Sequence, residues 1–352
     1  MSVMLDAPVP LALVAAFLDA HEILALRIVN HNCCSLLPLH TRVLVIKRRW
    51  LGARTINPDT SAEVEGVPSA HKPRGGLAVL AHCFPLIATL ALRGCSVHGD
   101  TLTSAFTATN WRATLRVLEL SALLHVTDRH LELCAQLLPA LETLVVAQCY
   151  QVKTPTLASA RLRSVRLQNG FFTRFAAGTH LPALQELRVT SQVLTTLDAR
   201  HLVKRALPES GAPLRLLSLA NCGAVTQLFV DPTELPTLRA LDLRCCHALE
   251  RVHVASRALE TLDLSLCVEL QVAVLDLPSA RSVDLSFLKA LTQLFLNAKT
   301  LEALDLTGCA QLERQHLRVA CPALQVARLN GASVDLSDLT RAQDMVVPLE
   351  LP

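Results

Sequence analysis

The chain has 352 residues, a net charge of +3 and 51% hydrophobic side chains, of which few are aromatic (3% of the chain). So small a charge gives no basis for binding nucleic acid or an anionic membrane, and no apolar run reaches the roughly 18 residues of a membrane span. A core this poor in aromatics has to be built from Leu, Val, Ile and Ala, side chains that suit a repetitive architecture. The stretch "VPLALVAAFL", 9–18, stops at Asp19, and Asp6 stands where a signal peptide carries its basic residues, so secretion is not expected. Twelve cysteines spread over the chain then fit free thiols in a reducing compartment, cytoplasm or nucleus.

Residues 1–50 form the first predicted region. Leu11, Val14, Ala15 and Leu18 fall on one face of a helix. Asp19 with Glu22 three residues later is a capping box, and Ile23, Leu26 and Val29 supply the stripe of a second helix. The succession Phe17-Leu18-Asp19, Glu22, Ile23-Leu24, Leu26-Arg27, Val29-Asn30 and Leu36 resembles the F-box family. Two departures make it a degenerate copy: Pro8 and Pro10 stand closer to Phe17 than the family's Leu-Pro opening, and Cys33 takes the place of its tryptophan. The resemblance implies a helical head that docks on the Skp-type adaptor of a cullin–RING ubiquitin ligase, through Leu11, Val14, Phe17, Leu18, Leu24 and Val29. Without it, the same leucines cap the open end of a solenoid. "TRVLVIKRRW", 41–50, reads as a strand joining this head to a sheet. Residues 51–76, rich in Gly, Pro, Ser and charge, read as a flexible linker or loop.

From 77 to 340 the chain repeats. Copies of Leu-x-x-Leu-x-Leu open at Ile87, Leu115, Leu141, Leu162, Leu184, Leu214, Leu238, Leu259, Ala280, Leu301 and Leu324. Repetition at a spacing of 21–30 residues means a solenoid, and Leu-x-Leu is a short strand with one buried face. The pattern resembles the leucine-rich repeat family. Cysteine at the ninth position of six copies (Cys95, Cys149, Cys222, Cys246, Cys267 and Cys309) points to its cysteine-containing subtype. The implied fold class is α/β: a leucine-rich-repeat solenoid of about 11 repeats with a parallel concave sheet and a small helical F-box-like head. Residues 126–149 carry the whole subtype pattern, with Thr127 or Asp128 opening a helix, and 319–331 repeat its second half. Early copies leave room for helices behind the sheet. From Leu238 the step shortens to 21 residues, and apolar residues such as Leu249, Val252 and Val254 predict a second extended segment instead. Residues 192–213 read as a loop or a degenerate copy, and 341–352 as a tail.

The residue between the last two leucines of each copy points out of the concave sheet. Down the chain that column holds Ala91, Glu119, Val145, Arg166, Arg188, Ser218, Asp242, Asp263, Asp284, Asp305 and Arg328. Adjacent strands lie about 4.8 Å apart, so the aspartates form a ladder of like charge, its members repelling by roughly 1 kcal/mol in water. Either the ladder attracts a basic partner segment, or each aspartate is tied to a nearby hydroxyl such as Ser265, Ser286 or Thr307. With Arg166 and Arg188 it defines the expected protein-binding surface.

No phosphate-cradling Gly loop, Gly-x-Ser-x-Gly, His-Glu-x-x-His or paired Cys-x-x-Cys occurs. His130 and Cys134 stand i, i+4 but make only two ligands. The cysteines read as small buried hydrophobes. No catalytic, cofactor or metal residue is assigned. The expected function is a non-enzymatic interaction protein, the substrate-recognition subunit of a Skp–cullin–F-box ligase. The alternative is a structural scaffold subunit of a ciliary, axonemal or ribonucleoprotein assembly whose head no longer binds the adaptor.

Overall fold

The computed structural model describes residues 42–47, 77, 84–95, 99–107, 110–202, 213–329 and 332–333. The predicted helical head with Leu11, Val14, Phe17, Leu18, Leu24 and Val29, the linker and the tail lie outside the described residues. The chain divides into two compact units, residues 1–162 and 163–352. Each is a parallel β-solenoid in which one coil contributes one strand to a front sheet.

In the first unit the front strands are β1 (Val43–Lys47), β2 (Thr89–Arg93), β3 (Val117–Ser121) and β4 (Thr143–Ala147), paired in parallel in chain order. Their register puts Leu44, Leu90, Leu118 and Leu144 in one column and Ile46, Leu92, Leu120 and Val146 in the next. All eight are buried. Each such side chain contributes roughly 1.5–3 kcal/mol. β1 is the strand expected at 41–50. The long coils carry helices, as their length predicts: α1 (Gly99–Thr107), α2 (Trp111–Thr114) and α3 (Asp128–Leu137). Phe84, Phe106 and Trp111 are fully buried, and the Trp111 indole donates to the Phe84 carbonyl at 2.6 Å.

In the second unit the front sheet runs β5 (Ser164–Gly170), β6 (Glu186–Ser191), β7 (Leu216–Ser218), β9 (Ala240–Asp242), β11 (Thr261–Asp263) and β13 (Ser282–Asp284), all parallel. The predicted second extended segment is present. β8 (Gln227–Val230), β10 (Arg251–Ala255), β12 (Val272–Asp276), β14 (Gln293–Asn297) and β16 (Leu317–Ala320) form a parallel back sheet. Val252, Ala273 and Leu294 are partners across it and are buried, as are Val254, Leu275 and Leu296. β15 (Ala303–Leu306), β17 (Val326–Leu329) and an antiparallel β18 (Ala332–Ser333) make a separate small sheet.

Two segments differ from the sequence expectation. Residues 192–213, read as a loop or degenerate copy, contain a helix, α4 (Thr196–His201), capped by the Thr195 hydroxyl, which accepts from the Asp198 N–H. The segment after Val319, expected to repeat a helix end, follows strand β16 instead. Its coil is two residues longer than the preceding ones. A 3₁₀ turn at Arg314–His316 takes up the excess and lets Leu317 and Val319 rejoin the back sheet.

Most coils turn the same way; in the one opening at Leu184 the eighth residue, Ser191, instead accepts the Val193 and Leu194 N–H groups on its hydroxyl. The residue at the eighth position has positive φ in Gly94, Ala122 and Gln148 of the first unit, and in Asn221, Cys245, Leu266, Phe287 and Gly308 of the second. In the coil opening at Leu162 this conformation moves one residue on, to Gly170, where the register with β6 shifts. A side chain there costs on the order of 1–2 kcal/mol. The conformation is held because the eighth-position N–H donates to the next coil, as from Cys245 to Ser265 O at 2.9 Å and from Phe287 to Thr307 O at 2.8 Å. The ninth-position cysteine follows, and its thiol donates backward to the strand-end carbonyl of the preceding coil. The pairs are Cys95 to Ile46 (3.3 Å), Cys149 to Leu120 (3.4 Å), Cys222 to Val189 (3.6 Å), Cys246 to Leu219, Cys267 to Leu243 (both 3.1 Å) and Cys309 to Leu285 (3.2 Å). Among the described residues no helix is long and apolar enough to cross a membrane.

The turn geometry sets opposite outcomes for two substitutions. Gln148 is exposed with φ 53°, so Gln148→Gly raises the unfolding free energy by about 0.5–1 kcal/mol. Gly308→Ala lowers it, because the new Cβ falls 2.8 Å from the Phe287 ring in a left-handed residue. Urea unfolding measures both; loss of stability in Gln148→Gly contradicts the account.

Candidate functional site

Alternation along each front strand sends the fourth and sixth residues into the core and the third and fifth outward. In the second unit the fifth-position column is therefore continuous: Arg166 is registered with Arg188, Arg188 with Ser218, Ser218 with Asp242, Asp242 with Asp263 and Asp263 with Asp284. Asp305 belongs to the small sheet, where it is registered with Arg328. The expected ladder is thus three aspartates in strict register, with the fourth carried on across a break in strand pairing. A bond from Phe287 N–H to Thr307 O spans that break.

Each aspartate also has a local task. One carboxylate oxygen accepts the backbone N–H two residues on, from Arg244 to Asp242 (3.2 Å), and at 2.9 Å from Ser265 to Asp263, Ser286 to Asp284 and Thr307 to Asp305. This side-chain turn fixes the chain as it leaves the strand. The Ser265 and Thr307 hydroxyls add bonds to the same oxygens, and Ser218 donates to the other oxygen of Asp242 at 2.9 Å. The Thr307 hydroxyl holds the Asp305 carboxyl below its usual range, against the small effect of burial. Hydroxyl tying and outward charge therefore coexist. The second oxygens of Asp263 and Asp284 have no hydrogen-bond partner among the described residues.

The arginines are not a bare basic patch. Glu186, at the third position of its coil, lies between them: Arg166 Nη2 is 3.2 Å and Arg188 Nε 2.5 Å from its Oε1, and Ser164 donates to Oε2 at 3.0 Å. Burial opposes ionisation of Glu186, but bonds from Arg188, Ser164 and Arg166 outweigh it and hold the carboxyl below its usual range. Inspection of the fifth column alone missed this residue, although the same alternation places the third column on the same face. Beyond Arg188 the face opens into a shallow depression of about 400 Å³ lined by that guanidinium, by Asp242, Asp263 and Asp284, and by Arg244, Ala240 and Thr261 among others. In the first unit, Glu119 of the same column is held by a two-point pair with Arg93, at 2.6 and 2.8 Å. That pair lowers the Glu119 carboxyl.

The remaining candidates for chemistry have other employment. His130 accepts the Thr127 N–H at 3.1 Å and closes the capping box of α3. Asp128 spends its carboxylate on the Lys153 and Thr154 N–H groups of the following coil. The described cysteines are all free, and all but Cys245 are buried. Burial pushes the thiols of Cys134 and Cys222 up to about 12 and those of Cys309 and Cys321 to about 11, so they stay protonated at neutral pH. Among the described residues no three His, Cys, Asp or Glu side chains meet at metal-binding distance.

The sequence matches no protein-family model and no curated protein. Fold and face together define a class: a parallel β-solenoid that displays registered rows of charge on its front sheet.

Two substitutions separate the structural and electrostatic parts of this face. Asp263→Ala loses about 1 kcal/mol of stability, since it removes the turn acceptor, whereas Asp263→Asn keeps an acceptor oxygen and leaves urea unfolding unchanged. Equal losses in both variants contradict the turn role. Glu186 has a folded-state pKa lowered from 4.5. Its stabilisation is therefore complete above that value and is lost as pH falls through the lower folded one. Relative to Glu186→Gln, the wild type is more stable by about 0.5 kcal/mol at neutral pH, and the difference vanishes in acid; a difference that grows on acidification contradicts the assignment.

Proposed function

We propose that this chain is a non-enzymatic interaction protein of the leucine-rich-repeat type, which holds a protein partner on the front face of its second unit. Its F-box-like head couples that partner to the Skp-type adaptor of a cullin–RING ubiquitin ligase. It works by raising the effective concentration of the bound protein near the ligase. The observation that carries the binding role is the fifth-position column. Residues far apart in the chain are brought by strand register into one row of three aspartates beside a shallow depression. Such a row steers a partner of opposite charge and fixes its register. The eleven Leu-x-x-Leu-x-Leu copies support the repeat type, and the Phe17-Leu18-Asp19 to Leu36 succession supports the head.

Affinity purification of the full chain from cells, probed for the Skp-type adaptor and a cullin, tests the coupling. The wild type is expected to carry both, and Phe17→Ala combined with Leu18→Ala to lose both while keeping the front-face partner. Absence of the adaptor from the wild-type eluate ends the ligase role and leaves the scaffold subunit of a larger assembly in its place.

A further inference from the structure

We propose that the segment bound on the front face is an α-helix lying across the strands, with one basic stripe over Asp242, Asp263 and Asp284 and one apolar stripe over Leu266 and Phe287. The inference rests on the front-face role above and adds the shape and chemistry of the occupant.

Leu266 and Phe287 are exposed, by 43% and 48%, whereas most other described leucines of the unit are buried, Leu197 on α4 being a further exposed one. Both occupy the left-handed eighth position, which turns their side chains out rather than into the core. They sit on adjacent coils, since the Leu266 N–H donates to Ser286 O at 3.1 Å and the Phe287 N–H to Thr307 O at 2.8 Å. Phe287 lies over Gly308, whose missing Cβ makes room for the ring. On each coil the apolar side chain follows the aspartate by three residues, at most about 10 Å of extended chain. Only Ser265 and Ser286 stand between the two columns, and both are tied to the aspartates. An apolar pair and an acidic row thus run side by side across the coils.

Distances decide which secondary structure fits. Rungs are about 4.8 Å apart, so three aspartates span about 10 Å. In a helix, residues i and i+7 are separated by about 10.5 Å along the axis, with a third between them on the same face. In an extended segment three same-side residues span about 13 Å and fall out of step with the rungs. A helix is also about 10–12 Å wide with its side chains, which lets one helix cover the acidic and apolar columns together. Charge completes the choice: Asp242 is already faced by Arg244 at 3.5 Å, but neither Asp263 nor Asp284 has an ion-pair partner among the described residues, so the occupant supplies the cations for those two, and Leu266 and Phe287 take its apolar stripe.

The test uses three fluorescent synthetic peptides of about 20 residues and the full chain. One is a helix with lysines at every third or fourth position and leucines on the adjoining stripe. The second has the same composition with the lysines spread around the helix. The third alternates lysine and threonine and stays extended. Anisotropy titrations are expected to show the first bound at least about tenfold more tightly than the others and weakened by salt. Asp263→Asn with Asp284→Asn, and separately Leu266→Asn with Phe287→Asn, each weaken it about tenfold. Asparagine preserves the turn acceptor in one case and tolerates the left-handed backbone in the other, so both variants fold. Equal or tighter binding of the extended or scrambled peptide overturns the helix, as does indifference to the Leu266 and Phe287 changes, or no binding of any peptide. Co-purification from cells separates this outcome from failure of the front-face role. A partner kept by both double variants ends that role itself, whereas a partner lost from both, with no preference for the striped helix, ends only the helix.

Discussion

Parallel pairing of one short strand per coil, in fixed register, is the constraint from which the other features follow. Because each strand is registered on its neighbour, residues at equivalent positions become columns: leucines fill the fourth and sixth, and charges collect in the fifth. The columns stabilise cooperatively, since a coil buries its leucines only against those of the next. A shift of one residue in any coil would turn its leucines out and its aspartate in.

The turn leaving the strand guards that register with up to three devices, all of them present in the coils opening at Leu238, Leu259 and Leu301. The left-handed eighth residue reverses the chain, the aspartate oxygen accepts an N–H two residues beyond itself, and the ninth-position thiol closes on the preceding coil's strand-end carbonyl. Leu219 O shows the economy of the arrangement, accepting both the Cys222 N–H of its own coil and the Cys246 thiol of the next. The ninth-position cysteines are buried, as their spacing suggests, and their thiols also bond to carbonyls of the preceding coil.

What was legible in the sequence was whatever depends on side-chain type. The strand columns, the back segment of Val252, Ala273 and Leu294, and the helix opened at Thr127 all announce themselves through periodic apolar residues or a cap. What stayed hidden depends on backbone conformation or on a neighbouring coil. The eighth position holds Gly, Ala, Gln, Asn, Cys, Leu and Phe in different coils, so no residue type marks its positive φ. Glu186 neutralises part of the Arg166 and Arg188 pair through register across coils, and Asp128 serves the N–H groups of Lys153 and Thr154 rather than its own helix. The strand at Leu317–Ala320 was masked by two extra residues, which make the segment look like a helix end until a 3₁₀ turn absorbs them.

The face that results is acidic by register and open by composition. Its aspartates each use one oxygen to hold the turn, and the second oxygens of Asp263 and Asp284 have no hydrogen-bond partner among the described residues. Carboxyl footprinting of the complex purified from cells, against the free chain, tests this most directly. The account predicts that Asp263 and Asp284 lose labelling in the complex while Asp231 and Glu313, away from the front column, keep theirs. Unchanged labelling of Asp263 and Asp284, with protection elsewhere on the chain, would contradict it.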